Sequence, residues 1–236
     1  MVCYIIYNAE GEMNVQHNFS AYFKGISFRR YLLMLAGNLL IGVGISIFKL
    51  SGLGNDPFSG MTMALSDFLH IPYAHFWLLL NIVLFAIEFF AGRSFVGIGT
   101  IINACLLGYV SSFFYEVWLQ MGLLPVEFWQ QLVIVCIGVL VSSMGVSFYQ
   151  TSNIGISPYD SLSLIINRRL PRVPYFWCRM STDVLCAAIC YAAGGIVSLG
   201  TLISAFGLAP LIHLSNKLVA VPLLAQKQTG AAEAAE

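Results

Sequence analysis

Residues 42–60 read GVGISIFKLSGLGNDPFSG, and residues 143–161 read SMGVSFYQTSNIGISPYDS. Laid over each other at a shift of 101 residues, Gly44 meets Gly145, Ser46 meets Ser147 and Ser51 meets Ser152. In the same register Gly54 meets Gly155, Pro57 meets Pro158 and Phe58 meets Tyr159. Each copy is an apolar helix that stops at a Gly-x-x-Pro element and restarts behind it. Working outward, Gly37 meets Gly138. After a drift of one residue around Tyr73 the register returns, and VGIGTIINA from Val96 lies on VSLGTLISA from Val197. Leu and Ile coincidences mean little in an apolar chain, but Gly, Pro and Gly-Thr coincidences in one register define an internal duplication.

Composition states what surrounds these halves. Of 236 residues 58% are hydrophobic and 9% charged, with mean hydropathy +0.82. A soluble domain carries roughly a quarter of its residues charged, so lipid is the main solvent here. The expected fold is all-α, a polytopic membrane protein with about six transmembrane helices. The net charge of zero points to no nucleic-acid partner. The cysteines form no CxxC, and no His lies at ligand spacing from them, so no metal site or cofactor is expected.

Crossing hydrocarbon takes about 20 helical residues. The spans predicted are Tyr31–Leu50, Tyr73–Ala91, Phe95–Tyr115, Phe128–Gln150, Pro174–Ala193 and Val197–Lys217. Trp77, Trp118, Trp129 and Trp177 fall near their ends, as interfacial anchors do. The organisation read from this is a tail at 1–22, a first membrane repeat at 23–125, a second at 126–220 and a polar tail at 221–236. With the N-terminus inside, all the Lys and Arg except Lys49 fall on the cytoplasmic side or next to it. That positive-inside bias places both termini in the cytoplasm.

Between the first and second span of each half lies a segment too short to cross. Asp56 and Ser157 are good N-caps, and Pro57 and Pro158 then take the first helical position, where a missing N–H costs nothing. With three spans per half the two repeats are inverted, and matched Gly/Pro-broken segments in inverted repeats point to a transporter-type site. The alternative is that both short helices lie on the membrane surface.

The paired G-x-G/S-x-[DS]-P-[FY]-[SD] elements and the later Gly-Thr resemble the YczE/YyaS/YitT family of bacterial membrane proteins over most of residues 30–218. The likeness is nearer the YczE type, because the soluble C-terminal domain of the YitT branch is not found. The resemblance implies a bacterial cytoplasmic (inner) membrane protein and carries no substrate with it.

Ionisable groups at membrane depth cost at least ~2.5 kcal/mol and need a reason. Asp183 lies mid-span with Arg179 one turn before it. Glu88, near a span end, is expected to reach interfacial water. Gly54, Asp56, Pro57, Ser59, Gly155, Ser157, Pro158 and Asp160 cluster at the starts of the short helices, where free N–H groups and partial positive charge collect. Asn103, like Asn38 and Asn81, is an intramembrane amide suited to interhelical bonding. These residues with Asp183 are the candidate substrate site. No P-loop, GxSxG or HExxH is present, so an enzyme is not expected. The function read is a small-solute transporter or permease-like protein of unknown substrate, acting in the bilayer as a homodimer. The alternatives are a non-transporting accessory protein and the capture subunit of an ATP-driven importer.

Overall fold

The computed structural model describes residues 27–223, which contain helices and no strand. The tail at 1–22 and positions 224–236 of the C-terminal tail lie outside the described residues. Positions 221–223 continue the last helix. The elements are α1 (Phe28–Ser51), α2 (Pro57–Phe68), α3 (Tyr73–Ala91), a short turn at Arg93–Phe95, α4 (Ile98–Gln120), α5 (Phe128–Ser152), α6 (Pro158–Arg169), α7 (Tyr175–Ala192) and α8 (Leu199–Ser215). A π-helical turn at Asn216–Ala220 carries α8 on. Five of these helices, α1, α3, α4, α5 and α8 with its extension to Leu223, are long and apolar enough to cross a membrane. The sixth expected span, α7, has 18 residues, or ~27 Å of helix. It is less apolar because Arg179, Ser181, Thr182 and Asp183 fall within little more than one turn.

Both breaks form as the cap residues dictate. α1 stops at Gly52 with φ 69° and α5 at the equivalent Asn153 with φ 52°, the left-handed C-cap that Gly and Asn tolerate. Asp56 accepts from Ser59 N at 3.1 Å and Ser157 from Asp160 N at 3.2 Å, each with Pro next in the chain. The short helices have 12 residues each. α2 is internal to the bundle, burying Pro57–Thr62, Ala64 and Ser66. α3 and α7 cover it, and only its end, at Phe68 and Leu69, is exposed.

The central seam is α1 against α5. A Cβ on Gly37 would lie 2.6 Å from Tyr149 N, and one on Gly145 would lie 2.7 Å from Ile41 N. Farther along, Gly44 faces Ser142 and Phe48 faces Gly138, so numbers rise on one helix as they fall on the other. The two helices are antiparallel, and small residues let their backbones approach closely. α4 runs beside α1, with Asn103 donating to Asn38 at 2.8 Å and Trp118 to Ser46 at 2.9 Å. α8 runs beside α5 in the same way, with Asn216 accepting from Ser147 at 2.6 Å and Thr151 at 3.0 Å. The short helices cross over, α2 packing on α7 and α6 on α3.

The breaking loops are satisfied crosswise too. Gly200 N and Ser198 Oγ donate to Leu53 O at 3.0 and 2.7 Å. Gly99 N donates to Ile154 O at 2.9 Å and Thr100 Oγ1 to Ile156 O at 2.7 Å. Backbone that leaves a helix at membrane depth must find such partners. Outward faces carry Leu79, Ile82, Phe90, Leu140, Val184 and Leu185, all exposed as lipid-facing residues are.

Two expectations fail. Trp77 is no interfacial anchor: it is 3% exposed, wedged between Gly108 of α4 and Phe58 of α2. Glu88 does not reach water: it is 0% exposed, because α6 covers the face of α3 that carries it. Trp129 and Trp177 are exposed as anchors should be.

Candidate functional site

The first turns of α2 and α6 meet. Phe58 and Tyr159, equivalent positions of the repeat, stack with ring centroids 4.3 Å apart and planes 11° from parallel. Trp77 of α3 meets Phe58 edge-on at 5.2 Å. Beside these rings is a cavity of about 90 Å³, reached by Asp56 and Ser59 of the first break and Ser157, Tyr159 and Asp160 of the second. Asn81, Asn103, Ser142 and Arg179 add polar groups from α3, α4, α5 and α7. A space of this size holds several waters or a solute of a few heavy atoms.

Two helix N-termini facing one space bring partial positive charge together. Carboxylates answer it: Asp56 caps α2, and Asp160 lies in the first turn of α6. Arg179 then ties the second half into a network. It is ion-paired with Asp160, lies 3.4 Å from Asp183 and sits over the Tyr159 ring, 4.7 Å from the centroid. The Tyr159 hydroxyl donates to Asp183 at 2.5 Å. Asp160 and Asp183 are therefore both ion-paired with Arg179, whereas the hydrogen bonds of the Asp56 carboxylate run to Ser59. Two buried groups on cavity-lining residues, Trp77 Nε1 and Ser142 Oγ, have no hydrogen-bond partner among the described residues.

The sequence-derived candidates divide accordingly. Asp56, Ser59, Ser157, Asp160 and Asn103 line the cavity. Asp183 joins through Tyr159 and Arg179. Pro57 and Pro158 are buried at the helix starts. Gly54 and Gly155 do not line the cavity; their φ are 94° and 125°, and a Cβ on them would lie 2.5 and 2.7 Å from the hydroxyls of Thr201 and Thr100. Their role is to let the loops dock. Tyr159, Phe58, Trp77 and Ser142 escaped notice as site residues, since aromatic and Ser positions in apolar helices read as packing. The pairing of Phe58 with Tyr159 in the repeat register was the signal that could have found the stack.

An all-α membrane protein whose broken helices open on one cavity is the class these features define. Residues 28–217 match the DUF6198 family, a family of unknown function, and the chain belongs to it. It is 23% identical to the uncharacterized protein YyaS of Bacillus subtilis over 208 residues, 85% of this chain and 99% of YyaS. An uncharacterized protein of Haemophilus influenzae is 22% identical over 195 residues, 82% of this chain and 86% of its own length. The uncharacterized membrane protein YczE of Bacillus subtilis is 22% identical over 201 residues, 81% of this chain and 91% of YczE. The likeness to YczE and YyaS expected from the paired motifs is thus borne out. No solved structure matches the chain.

Proposed function

We propose that the protein is a membrane transporter for a small cationic solute, bound where the two broken helices meet. One observation carries this: both short helices start at a single cavity, and there Asp56, alone of the site's three carboxylates, has no ion pair among the described residues. Three carboxylates, Asp56, Asp160 and Asp183, stand against the single Arg179. The aromatic walls Phe58, Tyr159 and Trp77 suit an organic ammonium or guanidinium group.

The antiparallel α1/α5 seam and the crosswise docking of each loop on the other half support an inverted pair of repeats. In that arrangement α7 counts as the sixth crossing and both termini face the cytoplasm of a bacterial inner membrane. Rocking of one half against the other about the glycine seam would open the cavity to each side in turn. No chemical step at the site is part of this reading.

The test is thermal unfolding of the protein in nanodiscs with methylammonium, ethylammonium or guanidinium, against formate and urea as controls. The cations raise the melting temperature, by about 2.7 kcal/mol of added stability at a hundred times Kd, and Asp56→Asn loses the effect. Uptake of the stabilising cation into proteoliposomes then completes the case. If none of the cations stabilises the protein, the transporter reading gives way to the accessory one.

A further inference from the structure

Glu88 lies outside the cavity, yet it is the least exposed carboxyl among the described residues. It is 0% exposed, and among the described residues neither of its oxygens has a hydrogen bond in the structure. The polar side chain that faces it is Ser161 of α6. Ser161 Oγ is itself bonded to Pro158 O at 2.8 Å. An ion without a partner at this depth is costly enough that the group neutralises instead.

The repeat shows that packing does not require the carboxyl. Pro72 and Pro174 both precede a helix, which sets the local register and makes Cys190 the counterpart of Glu88. In the other half Cys190 faces Gly60, whose added Cβ would lie 3.6 Å from its sulfur. Nearby, Gly92 packs on Ile165, and Gly195, one position beyond its counterpart in that register, packs on Ala64. One half makes this helix crossing with Glu and Ser, the other with Cys and Gly. Of the titratable groups on the elements packed around α3, namely α2, α4, α6 and the Arg93–Phe95 turn, Asp160 of α6 is the one whose charge reaches Glu88. Asp160 is also the partner of Arg179 at the cavity. The first turn of α6 therefore has the cavity network on one side and the sealed carboxyl on the other.

We propose that Glu88 is a proton-binding site, closed beneath α6 and opened to exchange when α6 lifts from α3. The bound proton would be the coupling ion of the carrier; that coupling rests on the transport reading, whereas the proton site does not.

Infrared spectroscopy of the protein in nanodiscs at neutral pH tests it. The difference spectrum of wild type against Glu88→Gln should contain the carbonyl stretch of an isolated carboxylic acid, shifted in heavy water. Glu88→Cys, which copies the other half, should lose the same band while keeping the wild-type melting temperature. Locking α6 to α3 by a disulfide in the double variant Gly92→Cys, Ile165→Cys should all but stop the heavy-water shift, and reduction should restore it. No Glu88-dependent acid band, or unfolding of both single variants, would overturn the proton site. An unchanged exchange rate in the locked protein would overturn the gate. No solute is used, so loss of cation binding with the band intact would sink the transport reading alone.

Discussion

The backbone N–H of Gly99 donates to the carbonyl of Ile154 at 2.9 Å, tying the start of α4 to the loop that breaks α5. The repeat makes the same bond from Gly200 to Leu53 at 3.0 Å. Each half thus satisfies the broken backbone of the other, and neither break is complete by itself. This explains why the Gly-Thr pairs recur in the same register as the Gly-x-x-Pro elements, 101 residues apart.

Filling these docking points should loosen the fold. A Cβ on Gly97 would lie 2.2 Å from Ile154 O, and one on Gly200 would lie 2.5 Å from Leu53 O. Gly97→Ala and Gly200→Ala are each expected to lose about 1–3 kcal/mol, the range of overpacked sites. Gly207→Ala, with Val139 at an ordinary 3.5 Å, should be neutral. Unfolding titrations in mixed micelles compare the three, and equal stability would mean that the loops dock with slack.

The fold was legible because its signals survive an apolar background. Caps at Asp56 and Ser157, prolines behind them and unbroken apolar runs predicted α2, α6 and the spans to within a few residues. The cavity was half legible. Asp56 and Asp160 stand out as charges in apolar sequence, but which face of α3 is covered depends on tertiary packing. Trp77 and Glu88 were misplaced for that reason: position along a helix says how deep a residue lies, not what lies against it. The link from Asp160 to Arg179 was hidden because it joins different helices.

Breaking that link should cost more than thinning it. Arg179→Leu leaves Asp160 and Asp183 without their cation; the pair is half-buried, so the loss should fall between the ~0.2–1 kcal/mol of exposed pairs and the ~3–5 kcal/mol of fully buried ones. Asp160→Asn keeps the amide near the guanidinium and should cost less. The double variant should be more stable than the two losses added together, since the partners share one interaction. Additive losses in a double-mutant cycle would show that the pair does not form.

Tyr159→Phe separates ring from hydroxyl. The stack on Phe58 at 4.3 Å should persist, while Asp183 loses a donor at 2.5 Å. The expected loss is about 1.5–3 kcal/mol, as for hydrogen bonds to charged groups. Tyr159→Ala removes both and should also abolish stabilisation by small cations, whereas Tyr159→Phe should only weaken it. Equal binding by all three proteins would place the solute away from this wall.

Topology is the prediction that bears on the whole arrangement. α1 and α5 are antiparallel, and each short helix is followed by an exposed turn, at His70 in one half and Arg172 in the other. If the halves are inverted across the membrane, these equivalent turns lie on opposite sides. Single cysteines, His70→Cys and Arg172→Cys, in a background without the native ones, should then react with an impermeant thiol reagent from outside and inside respectively. The Lys and Arg distribution requires this sense and not its reverse, because Arg168, Arg169 and Arg172 cluster around the second turn, whereas the first carries His70 and Asp67. Labelling of both turns from one side would mean that a short helix crosses after all. At 12 residues, or ~18 Å of helix against a core of about 30 Å, that would require strong local thinning of the bilayer.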